Sequence, residues 1–482
     1  MKRSSGVLMH ISTLWGDYSI GGFGKSAKEF IDFLSDCGFT YWQVLPFGVT
    51  DEYNSPYKSY SAFGGNPYFV DMEILFEKGL ITEKELFELK QDSPYLCEYD
   101  RLRETRISAL KTASQRVDEK LREKTEKYAE QNPRIKELCI FMSLKEKNNG
   151  DCWSDFKDLN YDEDTLFMWK FIQYEFFCEW NEIKSYAKEK NIRIIGDIPI
   201  YVSYDSADVF FERDIFDLDK DGRMKSVAGV PPDYFCTEGQ LWGNPLYKWD
   251  LMEKDDFSWW CERISYNLEL FDSVRLDHFR GYESFWSVSA DAENAINGNW
   301  VKGGDSKFID KIRNHTKDTF IIAEDLGEIT DPVKKLLDYS GFAGIRVFQF
   351  SDIEDKNSLH LPYNYISNCV AYTGTHDNNT LLGYVWEIDP QTRRKIFDYC
   401  GYSGEDFNDG CKAIIKTLLS SHADTVIFPI QDLLGYGNDT RMNTPGKAEG
   451  NWNIRFTKEQ INSIDRKYLF YLNSLYGRKN DL

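Results

Sequence analysis

The chain has 482 residues, 41% of them hydrophobic and 28% charged, which is material for a large core and the composition of neither a disordered nor a fibrous protein. Its 58 basic and 79 acidic residues give a formal net charge of −21, arguing against nucleic-acid backbones and anionic membrane surfaces as partners. Aromatic residues reach 16% of the chain, including 29 Tyr and 13 Trp, rings that suit both an ordinary core and the faces of sugars.

No apolar run approaches the length of a membrane span, and His10, Ser12 and Thr13 interrupt the first apolar stretch, so neither a signal peptide nor an anchor is expected. The ten cysteines include no CxxC pair and read as reduced thiols of a cytoplasmic protein.

In chain order, Val7 to Ile11 reads as a strand, followed by a glycine-rich turn (Gly21, Gly22, Gly24), an amphipathic helix from Ala27 to Leu34 and a second strand from Tyr41 to Phe47. The glycines match neither GxxxxGK[ST] nor GxGxxG, which sets a phosphate-loop reading aside. The following loop, through Tyr57 and on to AFGGNPY at Ala62 to Tyr68, offers Tyr57 as a stacking platform. From Gly79 to about Lys190 the pattern is helical, and residues 79–151 read as a helical insertion subdomain.

Strand signals then return at a steady interval: Arg193 to Ile200, Ser273 to Phe279, Phe320 to Gly327, Ile345 to Phe350, Val370 to Asp377 and Thr425 to Asp432. With the first two they make eight, and eight strands alternating with helices predict an α/β fold, a TIM-type (β/α)8 barrel formed as one catalytic domain over 1–482. Between the third and fourth lies GVPPDYFCTEGQLWGNPLYKW (229–249), rich in glycine, proline and aromatics, which reads as a long mobile lid with Gln240 and Trp242 placed against a sugar. Trp249 reads equally as an anchor of that loop. Asp217, Asp219, Asp221 and Gly222 imitate the start of a calcium loop, but Ala228 stands where the closing glutamate belongs, so a tight hairpin turn is expected instead.

Asp197, Asp277, Glu324 and Asp377 fall at the ends of four different strands, where a barrel of this kind gathers its reactive groups. Paired carboxylates are the equipment of glycoside chemistry, one ionised to attack the anomeric carbon and one protonated to release the leaving oxygen. Within VRLDHFRG (Val274 to Gly281), Arg275 shares a strand face with Asp277 and should hold it ionised, making Asp277 the nucleophile. Glu324 follows the apolar run Phe320 to Ala323, a setting that keeps a carboxyl protonated, making it the acid/base. His278 and His376 could donate to sugar hydroxyls or act with the carboxylates as metal ligands, so a metal-dependent barrel enzyme stands as a rival.

The segments IIGDIPIYVSYDSADV (Ile194 to Val209), GVPPDYF, GQLWGNPLY, VRLDHFRG, IAEDLG, YTGTHDN, RMNTPG (Arg441 to Gly446) and GNWNIRF together resemble the 4-α-glucanotransferases of the amylomaltase or disproportionating type, relatives of the α-amylases. The resemblance spans nearly the whole chain. It departs near the start, where Ile20 to Gly24 lacks the aspartate of a GIGD-like loop and Trp15 replaces a common proline. It implies retaining transfer of a maltodextrin unit from an α-1,4-glucan donor to a glucose or maltodextrin acceptor, with no cofactor and no metal. By position it makes Asp277 the nucleophile, Glu324 the acid/base and Asp377 the residue that holds sugar hydroxyls in the transition state. It also implies that Tyr57, Asp197, Arg275, His278 and His376 line the reacting subsite, that Gln240 and Trp242 belong to the acceptor side, and that Asn443 and Asp352 serve the donor side. The alternatives are an α-glucan hydrolase with the same carboxylates and a non-catalytic glucan-binding barrel.

Overall fold

The structure is a computed structural model that describes residues 3–232, 237–447 and 449–480. Eight strands, Ser4–Leu8, Tyr41–Gln43, Arg193–Ile198, Ser273–Leu276, Ile321–Ala323, Ala343–Val347, Cys369–Tyr372 and Thr425–Pro429, pair in parallel in chain order. The first closes on the last with Gly6 opposite Ile427, so the expected (β/α)8 barrel is formed.

Each strand ends before the apolar run that announced it. The runs continue because the residues just past the strand ends are themselves buried in turns or short helices: Phe279, Phe348 and Ile430 are all at most 1% exposed. Inside the barrel, Leu8, Ile195, Ile322, Ile345, Val370 and Ile427 form one apolar cluster. Two residues further along the third strand comes Asp197, in register with Arg275 of the fourth, so the apolar filling gives way to a polar layer at the C-terminal mouth. Gln43 belongs to the same layer and accepts a 2.9 Å hydrogen bond from the Tyr372 hydroxyl.

The helical part of the chain starts with Met72–Glu77 and runs through Tyr99–Gln115, Glu119–Gln131 and Pro133–Lys147 to the 27-residue helix Glu163–Glu189. That last helix starts at Asp162, whose carboxylate accepts from the Thr165 N–H at 2.8 Å, and its buried face runs from Thr165 to Ala187. Lys170 on it pairs with Glu126 at 2.7 Å, tying the charged helix Glu119–Gln131 to the rest. Among the described residues no helix is long and apolar enough to cross a membrane.

The expected lid is not a loop throughout. Ser226–Val230 and Gln240–Pro245 are antiparallel strands in a four-stranded sheet completed by Ser284–Ser289 and Gly298–Lys302. The alternation is hard to read because Gln240, Leu241, Gly243 and Asn244 are all at least partly exposed, and because Ser226–Val230, the partner of Gln240–Pro245, is itself backed by Ser284–Ser289 from far along the chain. Asp233 to Cys236, the centre of that stretch, lie outside the described residues. Trp249 is the anchor of the pair of readings: it is buried, opens the helix Trp249–Lys254 and stacks on Trp260 at 6.2 Å. Asp217 to Gly222 form the expected turn, with the Asp219 carboxylate accepting from the Asp221 and Arg223 N–H groups and Gly222 at φ +84°.

His10, at the end of the first strand, is buried and its Nδ1 accepts from the Leu45 N–H at 3.2 Å. Burial first, then the neighbouring His376, lowers it to about 3. Its neutral form therefore contributes stability that is complete above the unfolded value near 6.5 and is lost as pH falls toward 3. The stability difference between the wild type and His10→Gln should shrink by about 2 kcal/mol between pH 7 and pH 5, measured by urea unfolding.

Candidate active site

The polar layer is built around one cation. Arg275 donates through Nη1 to both oxygens of Asp197, at 2.9 and 2.8 Å, and its Nη2 lies 2.9 Å from Asp277 Oδ1 and 3.9 Å from Glu324 Oε2. Burial opposes the Arg275 charge, but Asp197 and Asp277 outweigh it and hold the guanidinium well above its ordinary range. The sequence made Arg275 the partner of Asp277. The structure gives it a second and fully buried partner in Asp197, because the two residues are in register on adjacent strands.

Asp277 and Glu324 stand one residue beyond their strands, yet the ladder still holds them. The Asp277 N–H donates to Ile198 O at 3.0 Å, the Glu324 N–H to Leu276 O at 3.0 Å and the Phe279 N–H to Glu324 O at 2.9 Å. His278 then takes the left-handed conformation at φ +46°, uncommon for a residue with a side chain. That turn aims its N–H at Glu324 Oε2, 2.8 Å away, while the Leu326 N–H reaches Oε1 at 2.9 Å. Two such donors favour the anion, as does Arg275, but burial exceeds them and, with Asp277 adjacent, raises the Glu324 carboxyl to about 8. Burial likewise raises Asp197, against Arg275.

The seventh strand supplies the opposite wall. Tyr57 stacks on His376 with ring centroids 4.9 Å apart and an interplanar angle of 19°, and its hydroxyl donates to Asp197 Oδ2 at 2.7 Å. His376 Nε2 lies 3.3 Å from Asp377 Oδ2, and Asn443 Nδ2 donates to Asp377 Oδ1 at 2.6 Å. Burial would raise Asp377, but His376, that hydrogen bond and Arg275 prevail and keep it below the usual carboxylate range.

On the hairpin, the Trp242 Nε1 donates to Gln240 Oε1 at 3.1 Å, and the indole meets the His278 ring edge-on at 4.9 Å. His278 is lowered to about 4, by burial before any other cause, so it is a neutral imidazole at neutral pH. Tyr57, Asp197, Gln240, Trp242, Arg275, Asp277, His278, Glu324, His376, Asp377 and Asn443 are thus linked by hydrogen bonds, ion pairs and ring contacts. Asp352 is not: it is exposed, and its carboxylate accepts from the Glu354 N–H at 2.9 Å in a turn of its own.

Two residues at the mouth had no role in the sequence reading although both lie in its quoted motifs. Trp452 sits 5.9 Å from the rings of both Tyr57 and His376, and Arg441 donates to Asp377 O at 2.5 Å. Their aromatic and cationic side chains in irregular, glycine-containing stretches were the available signal. Among the described residues no group of three or more His, Cys, Asp or Glu could hold a metal ion; the cation among these carboxylates is Arg275.

The arrangement offers one carboxylate paired with a guanidinium and another that keeps its proton at neutral pH. The shared Nη2 contacts at 2.9 and 3.9 Å limit the nearest Asp277 and Glu324 oxygens to less than about 7 Å apart, which includes the spacing of about 5–5.5 Å used for retaining glycoside chemistry.

Comparison with known proteins agrees. Residues 9–461 match the Glyco_hydro_77 family, described as 4-alpha-glucanotransferase. A 4-alpha-glucanotransferase of Clostridium butyricum is 42% identical over 98% of this chain and 100% of its own length. One from Streptococcus pneumoniae is 39% identical over 100% of this chain and 98% of its own. Among solved structures, an amylomaltase of Streptococcus agalactiae in complex with acarbose superimposes with a TM-score of 0.95 at 33% identity, over 99% of this chain and 100% of that one.

Proposed function

We propose, from the premise that this chain belongs to the Glyco_hydro_77 family of 4-alpha-glucanotransferases, that its Arg275-centred carboxylates carry out the transfer. The activity moves a maltodextrin unit from an α-1,4-glucan donor to a glucose or maltodextrin acceptor, with retention of configuration. The observation that carries the assignment of roles is the contrast between Asp277, 2.9 Å from Arg275, and Glu324, raised to about 8.

In the first step the Asp277 carboxylate attacks the anomeric carbon as its bond to the leaving oxygen breaks, and Glu324 gives its proton to that oxygen. In the second, the Glu324 carboxylate takes the proton of the acceptor hydroxyl, whose oxygen displaces Asp277. Two inversions return the original configuration. Asp377, His376 and Asn443 hold hydroxyls of the reacting sugar, while Asp197 and Tyr57 brace Arg275 and His376 from behind. An exposed Asp352 fits a role further along the donor chain.

Gln240 and Trp242, carried on a hairpin strand beside His278, form the acceptor side, where a sugar must win over water. The strand Gln240–Pro245 acts as the lid over the acceptor side, and helices between 79 and 151 act as a subdomain walling the groove. A reducing, cytoplasmic setting accords with the nine described cysteines, all of them free.

Incubation with maltotriose alone tests this. Glucose together with maltodextrins longer than the substrate is the expected result; glucose and maltose without elongation would indicate hydrolysis instead. In the same assay Trp242→Ala should raise the acceptor KM by about 3–10-fold and increase the share of donor lost to water.

A further inference from the structure

Asp432 is a buried carboxylate, 4% exposed, that takes no part in the network around Arg275 and forms no ion pair among the described residues. It follows the eighth strand, within the short helix Ile430–Leu434. Its Oδ2 accepts from the Thr373 hydroxyl at 2.5 Å, and its Oδ1 accepts from the Leu381 N–H at 2.7 Å. Thr373 is the first residue past the seventh strand, and Leu381 opens the helix Leu381–Glu387, where the N–H has no intrahelical partner. Between these two points runs the loop that carries His376 and Asp377.

One side chain therefore joins both ends of that loop. The loop is braced elsewhere too: Asn378 Oδ1 accepts from the Thr375 N–H and hydroxyl, both at 2.8 Å, and Gln349 Nε2 donates to Asn379 O at 2.8 Å. Those contacts lie within the loop or on its far side. Among the described residues only Asp432 fastens its two ends to a common atom group on a neighbouring barrel unit.

A buried carboxylate without a cation is costly to keep, and an apolar side chain of similar size would avoid that cost. Burial raises Asp432 to about 7. Ionised, the group accepts both hydrogen bonds; protonated, it can donate to the Thr373 hydroxyl and still accept from Leu381. The clamp survives either way.

We infer that Asp432 is a positioning residue for transfer: by holding Thr373 and Leu381 it fixes where His376 and Asp377 meet the reacting sugar. The inference rests on the reading that places Asp377 against that sugar. A displacement of about 1 Å at such a point is enough to reduce turnover by about 10²-fold.

The test compares Asp432→Ala, Asp432→Asn and Thr373→Val in the full chain. Asp432→Ala is expected to lower kcat by about 30- to 100-fold with the maltotriose KM changed less than about threefold, because the loop moves while the rest of the groove stays. Asp432→Asn keeps one acceptor for Leu381 and an amide that can donate to Thr373, so it should recover kcat to within about threefold of wild type. Thr373→Val frees one end and should fall between the two. With selective labelling of the six histidines, the His376 resonance should shift in Asp432→Ala and return in Asp432→Asn, while those of His315 and His422 stay in place.

Unchanged kcat and an unmoved His376 signal in Asp432→Ala would overturn the inference, as would an Asp432→Asn protein as slow as Asp432→Ala. If Asp432→Ala does not fold, Thr373→Val decides by the same two readouts. Asp377→Ala, assayed alongside, tests the underlying reading separately: full activity there would remove Asp377 from the site, whereas the His376 signal reports the clamp without any turnover.

Discussion

Asp277→Ala should fold as the wild type does and turn over maltotriose about 10⁴-fold more slowly or worse. The fold is expected to persist because Arg275 keeps its bidentate contact with Asp197, which is the fully buried part of the network, while the Asp277 side chain is 24% exposed. What disappears is the partly exposed carboxylate that pairs with Arg275 at 2.9 Å from just past the same strand. No covalent intermediate can then form, and the residual Glu324 cannot replace it, because its proton is held up to about pH 8. A small anion such as azide, free to enter the space vacated, should restore bond cleavage and yield a glycosyl azide of inverted configuration. Thermal unfolding within a few degrees of wild type is the control. Turnover within tenfold of wild type would remove Asp277 from the nucleophile's role.

Glu324→Gln is the second large effect, and it separates the two steps. With glucan donors the loss should be about 10²–10⁴-fold, since the leaving oxygen must depart without a proton. With α-glucosyl fluoride, whose leaving group needs none, the first step should proceed and a glycosyl-enzyme should accumulate, visible as a mass increase. In the wild type kcat/KM should fall as pH rises through about 8, because the free enzyme loses the proton it must donate. The same shift has a consequence for stability. A carboxyl raised above its unfolded value contributes stability that is complete below about 4.3 and is lost as pH rises through about 8, so Glu324→Gln, always neutral, should gain on the wild type in that upper range. A wild-type alkaline limb that persists unchanged in the glutamine variant with the fluoride donor would assign it to another group.

Much of the barrel was legible because its signal is local. An apolar run such as Arg193 to Ile200 or Thr425 to Asp432 identifies a buried strand by itself, and a carboxylate at its end stands out against it. The same locality explains the errors. The runs overshoot because Phe279 and Phe348 are buried by the turns that cap the barrel and not by the sheet, and nothing in the residue types distinguishes the two. Gln240 to Pro245 passed for loop because its strand is made by Ser226–Val230 and, beyond it, by Ser284–Ser289. Trp452 gained a place beside Tyr57 and His376 only when the C-terminal segment folded back over the mouth. Asp352, by contrast, was reachable from the family resemblance, and its carboxylate accepts from the Glu354 N–H in a turn of its own.

The sequence by itself determined the number and order of the strands, the residues that could do chemistry and the family whose motifs they carry, because periodicity and side-chain identity survive without coordinates. Only the tertiary structure decided that burial outweighs the two N–H donors and Arg275 around Glu324, that Arg275 belongs to Asp197 as much as to Asp277, and that Asp432 closes the loop bearing Asp377. Those outcomes depend on burial and on distances of 2.5 to 3.9 Å between residues far apart in the chain. Desolvation and Coulomb forces act through space, and the order of residues alone does not specify them.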